Sequence, residues 1–198
     1  MTRTLALFDF DGTITRKDSF LEVIKHCKGS LHFYFGLLVM SPVLVLYKFR
    51  IIPNWRAKEL FFSFYFKEDS YMEFQQQCRS YAIEKIPSQI RPSALQAIRD
   101  HQAKQDHVIV VTASGEEWVK PWTDSLGIEV IATRWASQNN KLTGKIEGRN
   151  CYGEDKKVRI LEKVNPADYS AVMAYGDTRG DLAMLSLADQ KFYKYFND

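Results

Sequence analysis

The sequence predicts an α/β protein, a Rossmann-like doubly wound parallel sheet with a helical insertion after the first strand. Three observations predict it. Leu5-Ala6-Leu7-Phe8 is a continuous apolar run, the pattern of a strand buried on both faces of a parallel sheet. From residue 91 onward, β-branched runs alternate with helix-like stretches, the order that builds a doubly wound sheet. Residues 16–90, between the two, read as helical and hold the most unusual composition of the chain.

The elements follow in order. After the first strand and its loop come the helices of residues 16–90. Ser93 is placed to cap a helix running to about Gln105, since a serine hydroxyl satisfies free N–H groups of a first turn. His107 to Val111 is a β-branched strand. A helix is expected from Glu116 to Leu126, bent at Pro121 and stopped by Gly127. Ile128 to Ala132 reads as a strand, and Asn139-Asn140 as a turn. Lys156 to Val164 is helical and closed by Pro166. Ala171 to Tyr175 is a strand, Asp181 to Leu187 a helix, and Phe192 to Phe196 a last strand.

Composition bounds the function. In 198 residues, 45% are apolar and the net charge is +3, which excludes extended disorder and argues against an electrostatic nucleic-acid binder. Cys27, Cys78 and Cys151 are odd in number and widely spaced, as expected of free thiols in a cytoplasmic protein. The apolar run before Asp9 is too short for the roughly 7–15 residues of a signal-peptide core.

Three strands end in polar residues: Asp9-Phe10-Asp11-Gly12-Thr13, Thr112-Ala113-Ser114-Gly115, and Gly176-Asp177-Thr178-Arg179-Gly180-Asp181. Parallel strands share one carboxyl edge, where ligands of such sheets bind. Four carboxylates converging there repel one another unless a cation neutralises them, and a hard, oxygen-ligated ion such as Mg²⁺ suits them. Of the pair Asp9 and Asp11, one carboxylate can attack phosphorus while the other moves protons. Gly12 lets the backbone turn close to a phosphate.

The string Phe8-Asp9-Phe10-Asp11-Gly12-Thr13-Ile14-Thr15 resembles the signature of the haloacid dehalogenase-like superfamily. Val111-Thr112-Ala113-Ser114, a lysine opening a later helix, and Gly176 to Asp181 resemble its other three motifs, in the family's order. The wide, helical gap after the first motif is similar to the subfamily that includes phosphoserine phosphatases. The resemblance implies that Asp9 is the nucleophile, Asp11 the general acid and base, and Thr112 a hydroxyl donor to the phosphoryl group. It implies phosphate contacts from backbone N–H groups near Gly12 and at Ser114-Gly115. It implies Mg²⁺ at Asp9, the Asp11 carbonyl and Asp177, with Asp181 binding through water or orienting the lysine. Counting forward from Cys151-Tyr152-Gly153 selects Lys156 as that lysine, whereas the helix phase of Val158, Leu161 and Val164 selects Lys157; the loop count is preferred. The second carboxylate, Asp11, points to phosphate rather than halide chemistry, because an alkoxide leaving group needs a proton.

The expected division is a core of residues 1–15 and 91–198 with a helical cap at 16–90. In phosphoserine phosphatases a glutamate soon after the first motif holds the substrate amine; Asp18 stands in that place, and the sequence offers no partner for a serine carboxylate. Residues 31–47 contain no Asp, Glu, Lys or Arg, and Lys48, Arg50, Arg56 and Lys58 follow. This resembles the cap of bacterial phosphatidylglycerophosphate phosphatases, and it makes residues 31–52 a candidate contact with an anionic membrane surface. The other reading is a pair of helices buried in an ordinary cap or a dimer contact. Trp55 and Phe61 to Phe66 read as packing, and His26, His32, His101 and His107 lack metal spacing. The expected activity is Mg²⁺-dependent hydrolysis of a phosphorylated small molecule. A membrane-lipid phosphatase is the alternative; a phosphotransferase or a non-catalytic phosphate-binding module stands further off.

Overall fold

The computed structural model describes residues 3–198. Strand β1 (Leu5–Phe8) is fully buried along its length. Leu5 and Leu7 pack into one apolar cluster and Ala6 and Phe8 into the other, on opposite faces of the sheet. After β1 come α1 (Ser19–Lys28), α2 (Ser30–Val39), α3 (Ser41–Lys48), α4 (Asn54–Phe66), α5 (Tyr71–Glu84) and α6 (Ile86–Gln89). The core resumes with α7 (Pro92–Ala103), β2 (His107–Gly115), α8 (Glu116–Ser125), β3 (Glu129–Gln138) and β4 (Lys141–Glu147). It closes with α9 (Glu154–Lys163), β5 (Val172–Gly176), α10 (Leu182–Leu185) and β6 (Gln190–Tyr193). The sheet order is β4-β3-β2-β1-β5-β6, parallel except for β4, which is the doubly wound arrangement the sequence predicts.

Several boundaries differ from the sequence reading. Helix α7 starts at Pro92 after the N-cap residue Arg91, so Ser93 lies inside it; its hydroxyl and N–H bond to Asp198 instead. Strand β2 runs through Thr112 and Ser114 to Gly115, and β3 through Trp135 to Gln138. The predicted helix at Asp181–Leu187 is a 3-10 turn, Arg179–Asp181, followed by one short helix. The last strand ends at Tyr193.

Asn139 and Asn140 both take positive φ (51° and 60°), the geometry of a tight hairpin turn, and they return the chain as β4, which the sequence reading lacked. That hairpin packs on the insertion. Ser63 Oγ donates to the Gly144 carbonyl at 2.9 Å, and the Ile146 N–H donates to Glu59 at 3.1 Å. The Phe62 and Trp135 rings stack with centroids 3.5 Å apart. Phe61, Phe62, Tyr65 and Phe66 are buried as expected, whereas Trp55 is half exposed. The insertion joins the core through two adjacent segments, with Arg16 N–H donating to the Gln89 carbonyl and Arg91 N–H to that of Ile14, at 2.9 and 2.8 Å. We propose this paired crossing as the boundary between core and cap.

The α2–α3 hairpin is not buried. Only Phe33 and Gly36 of α2 are fully buried, and no residue of α3 is. Leu31 is 90% exposed, Leu38 and Phe49 72% each, and Ile51 66%. Among the described residues no single helix is long and apolar enough to cross a membrane; α2 and α3 reach that length only as a pair bent by 57°.

Glu117, on α8, receives the Trp135 N–H at 3.0 Å through one carboxyl oxygen, while the other is buried without a partner. Burial raises its pKa to about 7. Below about pH 4.5 the group is neutral whether folded or unfolded, and above about pH 7 the fold carries the full cost of a buried charge. Glu117→Gln is therefore expected to raise the melting temperature by roughly 3–8 °C at pH 8, from about 1–3 kcal/mol. The gain shrinks toward pH 4.5; a scanning-calorimetry gain that grows toward acid contradicts the burial account.

Candidate active site

The carboxyl ends of β1, β2 and β5 form the floor of a cleft of about 200 Å³. Core residues Asp9, Asp11, Thr112, Ser114, Lys156, Thr178 and Asp181 line it, together with Asp18, Phe20, Asn54 and Lys58 from the insertion. Asp9 continues the phase of Leu5 and Leu7, on the face covered by α9. Its N–H donates to the Tyr175 carbonyl at 2.9 Å, which ties the end of β1 to β5.

Lys156 meets Asp9 from α9. It is 2% exposed, whereas Lys157 is only partly covered. The helix begins at Glu154, earlier than predicted, and its covered face carries Lys156 and Ile160 one turn apart rather than Val158 and Leu161. The Lys156 ammonium donates to Asp9 and, at 2.6 Å, to Asp181. Burial pulls its pKa down, but Asp9 and Asp181 more than offset that and hold it charged. Asp9 is pushed up to about 8 by burial, against the pull of Lys156.

Asp11 points elsewhere. One oxygen accepts the Ser19 N–H at 2.8 Å and the other the Ser114 hydroxyl. Behind them the Trp118 indole donates to the Ser19 hydroxyl (3.0 Å), which donates to that of Ser114 (2.9 Å). This directed chain fixes the Asp11 carboxyl, whose pKa burial, with Asp18 nearby, raises to about 6. Ser19, the first residue of α1, was not singled out in the sequence.

Thr112 is buried, and its oxygen accepts the Ser114 N–H at 3.0 Å, so its own hydroxyl proton remains available. That bond occupies the Ser114 N–H, which the sequence reading had turned toward phosphate. Gly115 lies outside the cleft lining, and a Cβ added there would meet the Trp118 ring at 2.1 Å. Gly12, at φ +85°, stands against Asp177, and a Cβ there would come within 2.4 Å of its carboxylate.

The carboxylates of Asp9, Asp177 and Asp181 lie within 4.8 Å of one another. Asp177 accepts the Thr13 hydroxyl at 3.0 Å, and its carboxylate lies within 4.8 Å of that of Asp9. Two carboxyls this close cannot both ionise without a cation between them, and this set of hard oxygen donors fits Mg²⁺. Asp181 has both oxygens taken, one by Lys156 and the other by the N–H and hydroxyl of Thr178. That leaves Asp9 and Asp177 as the carboxylates open to a metal. The Asp11 side chain is not in that set, being engaged with Ser19 and Ser114.

Lys58 departs most from its sequence reading. It is not part of an outer basic flank; its ammonium enters the cleft and donates to the Ala113 carbonyl at 2.6 Å, above the Phe20 ring. Burial lowers its pKa, against the pull of Asp18 and Asp11. Lys58 precedes Phe61, Phe62 and Tyr65 by three, four and seven residues, the spacing of one helix face, and that was the signal available. Asp18 caps α1 by accepting the Leu21 N–H at 3.2 Å.

The chain matches the haloacid dehalogenase-like hydrolase family over residues 6–186. It is 35% identical to the protein CicA of Caulobacter vibrioides across 97% of this chain and 86% of that one. Among solved structures, a Bordetella pertussis protein of unknown function aligns with a TM-score of 0.84 at 22% identity, covering 96% of this chain and 89% of that one. A substrate-bound phosphoserine phosphatase aligns with a TM-score of 0.68 at 20% identity, covering 98% and 86%. At these identities the structural likeness speaks to the fold.

Proposed function

This chain belongs to the haloacid dehalogenase-like hydrolase family, and from that premise we propose that it is a phosphatase acting on a phosphomonoester through an acyl phosphate on Asp9. The observation that carries this reading is the placement of two carboxyls, Asp9 buried and Asp11 partly buried, in one cleft with separate partners, Asp9 on Lys156 and Asp11 on Ser19 and Ser114.

In the proposed reaction a carboxylate oxygen of Asp9 attacks phosphorus, and the bond from phosphorus to the ester oxygen breaks. The Asp11 carboxyl gives its proton to that departing oxygen. Asp11 then takes a proton from water, whose oxygen attacks phosphorus; the bond to Asp9 breaks and inorganic phosphate leaves. Lys156 and the Thr112 hydroxyl face the charge that develops on the phosphoryl oxygens. Asp181 acts as a positioning residue for Lys156. Asp9, Asp177 and the Asp11 carbonyl would hold Mg²⁺, which supplies positive charge to the phosphoryl group. Asp18 and Lys58 place an anion and a cation where the insertion meets the substrate.

The test is a screen of phosphate monoesters with and without chelator. Activity is expected to fall at least a hundredfold after exhaustive chelation and to return with Mg²⁺; full activity in chelator removes the metal from the proposal.

A second reading, a lipid phosphatase working at a membrane such as one acting on phosphatidylglycerophosphate, is favoured by one observation: the exposed apolar surface of α2–α3. Under it the protein sediments with phosphatidylglycerol vesicles at low salt, releases as salt rises, and loses binding in Leu38→Asp/Phe49→Asp. Both positions are exposed, so the variant keeps its fold. Absence of sedimentation by the wild type at low salt ends this reading.

A further inference from the structure

We propose that the cap carries a second anion subsite, made by Lys48 and Arg50, which holds a phosphate or phosphodiester on the leaving-group side of the substrate. The proposal rests on the phosphatase reading for its reaction and on separate observations for its geometry.

The catalytic cleft does not end at the carboxylates. Asn54 and Tyr152, which line it, also line two neighbouring cavities, so two cavities adjoin the cleft on that side. The larger cavity, about 540 Å³, presents Glu59 and Asp155; its one cation, Arg149, is paired with Asp155 at 3.1 Å. With Glu59 paired to Lys145 and Arg149 to Asp155, that cavity offers a second anionic group no unpaired cation. The other cavity, about 400 Å³, is lined by Lys48 and Arg50 with Tyr47 and Ile52 and contains no carboxylate. Among the described residues neither Lys48 nor Arg50 pairs with an acid.

The local backbone explains how the two cations share this wall. Lys48 ends α3, and Arg50 follows in a left-handed turn (φ 59°), its N–H donating to the Tyr47 carbonyl at 2.9 Å. Asn54 donates to the Tyr47 hydroxyl at 3.1 Å and accepts from Asn150 at 3.0 Å. That pair of bonds ties the basic wall to the partition shared with the catalytic cleft. Two exposed, unpaired cations on one cavity wall favour an anionic over a neutral group. Tyr47 also belongs to the exposed apolar surface, so the second anion suits either a free bisphosphate or a phosphodiester carried by a lipid.

The experiment compares propyl phosphate, propane-1,3-diol bisphosphate, and a dihexanoyl phospholipid whose phosphodiester headgroup ends in a phosphomonoester. The wild type is expected to prefer the two substrates that carry a second anionic group by at least tenfold in kcat/KM, through KM. Lys48→Ala/Arg50→Ala is expected to bring that ratio close to one. Preference for both compounds identifies the anion itself as the determinant; preference for the phospholipid alone identifies a lipid headgroup. A ratio equal in wild type and variant overturns the subsite, however the individual constants move. Calorimetric binding of propane-1,3-bisphosphonate against propylphosphonate gives the same comparison without turnover. A wild type that hydrolyses none of the esters sinks the phosphatase reading, while the bisphosphonate preference and its loss in the variant still decide the subsite.

Discussion

Asp9→Asn is expected to lower phosphatase turnover by at least about 10⁴-fold while leaving the melting temperature within a few degrees of wild type. An amide oxygen is a far poorer nucleophile than a carboxylate, and losing the group that forms the covalent bond removes the route rather than weakening it. The fold should tolerate the change because asparagine fills the same space and the buried cluster around it is rich in negative charge. Lys156 keeps Asp181 at 2.6 Å, so its ammonium is not stranded. Relief of the strong upward pressure on the Asp9 carboxyl offsets part of the lost ion pair. The readouts are steady-state turnover on the best ester from the screen and a melting curve of the same preparation. Beryllium fluoride with Mg²⁺ is expected to protect the wild type and not the variant, because the mimic bonds to the carboxylate. Turnover near wild type, in a preparation free of contaminating phosphatase, removes Asp9 as nucleophile.

How much of this site was legible in the sequence follows from where each residue sits. Asp9, Asp11, Asp177 and Asp181 lie beyond strand ends and Thr112 near the end of β2, in strings where buried apolar residues give way abruptly to polar ones. Such strings carry their own context, and a parallel sheet gathers them on one edge. Lys58 and Ser19 carry no comparable context. The aromatic run Phe61 to Phe66 blurs the period of α4, so the covered face of Lys58 was hidden among apolar neighbours. Strand β4 escaped because Gly144 interrupts its alternation; the structure uses that glycine, at φ 79°, to admit Ser63. The α2–α3 segment shows the opposite limit. Its apolar composition is plain in the sequence, but composition does not say what covers a surface, and in the fold α3 contributes no fully buried residue.

Lys156→Met is expected to cost about 10²–10⁴-fold in turnover, and Lys157→Met less than about threefold. The difference follows from position. Lys156 is the buried ammonium between Asp9 and Asp181, and a fixed cation aimed at developing phosphoryl charge is worth several kcal/mol of barrier, typically about 3–4. Methionine keeps most of the stem's packing and removes the charge, so the loss reports electrostatics rather than a cavity. Asp9 and Asp181 are then left facing each other without their shared partner, and breaking a buried pair costs about 3–5 kcal/mol where no proton or metal takes its place. Raising Mg²⁺ should therefore recover part of the stability but little of the turnover, because the ion restores charge near Asp9 without restoring the donor. Melting temperature and kcat measured across a Mg²⁺ titration separate those two effects. Lys157 is partly exposed on the same helix, and its replacement leaves every contact of the cleft in place. If Lys157→Met is the damaging change and Lys156→Met is mild, the apolar phase of Val158, Leu161 and Val164 was the better guide to this helix, and the ion pair with Asp9 is not what the reaction uses.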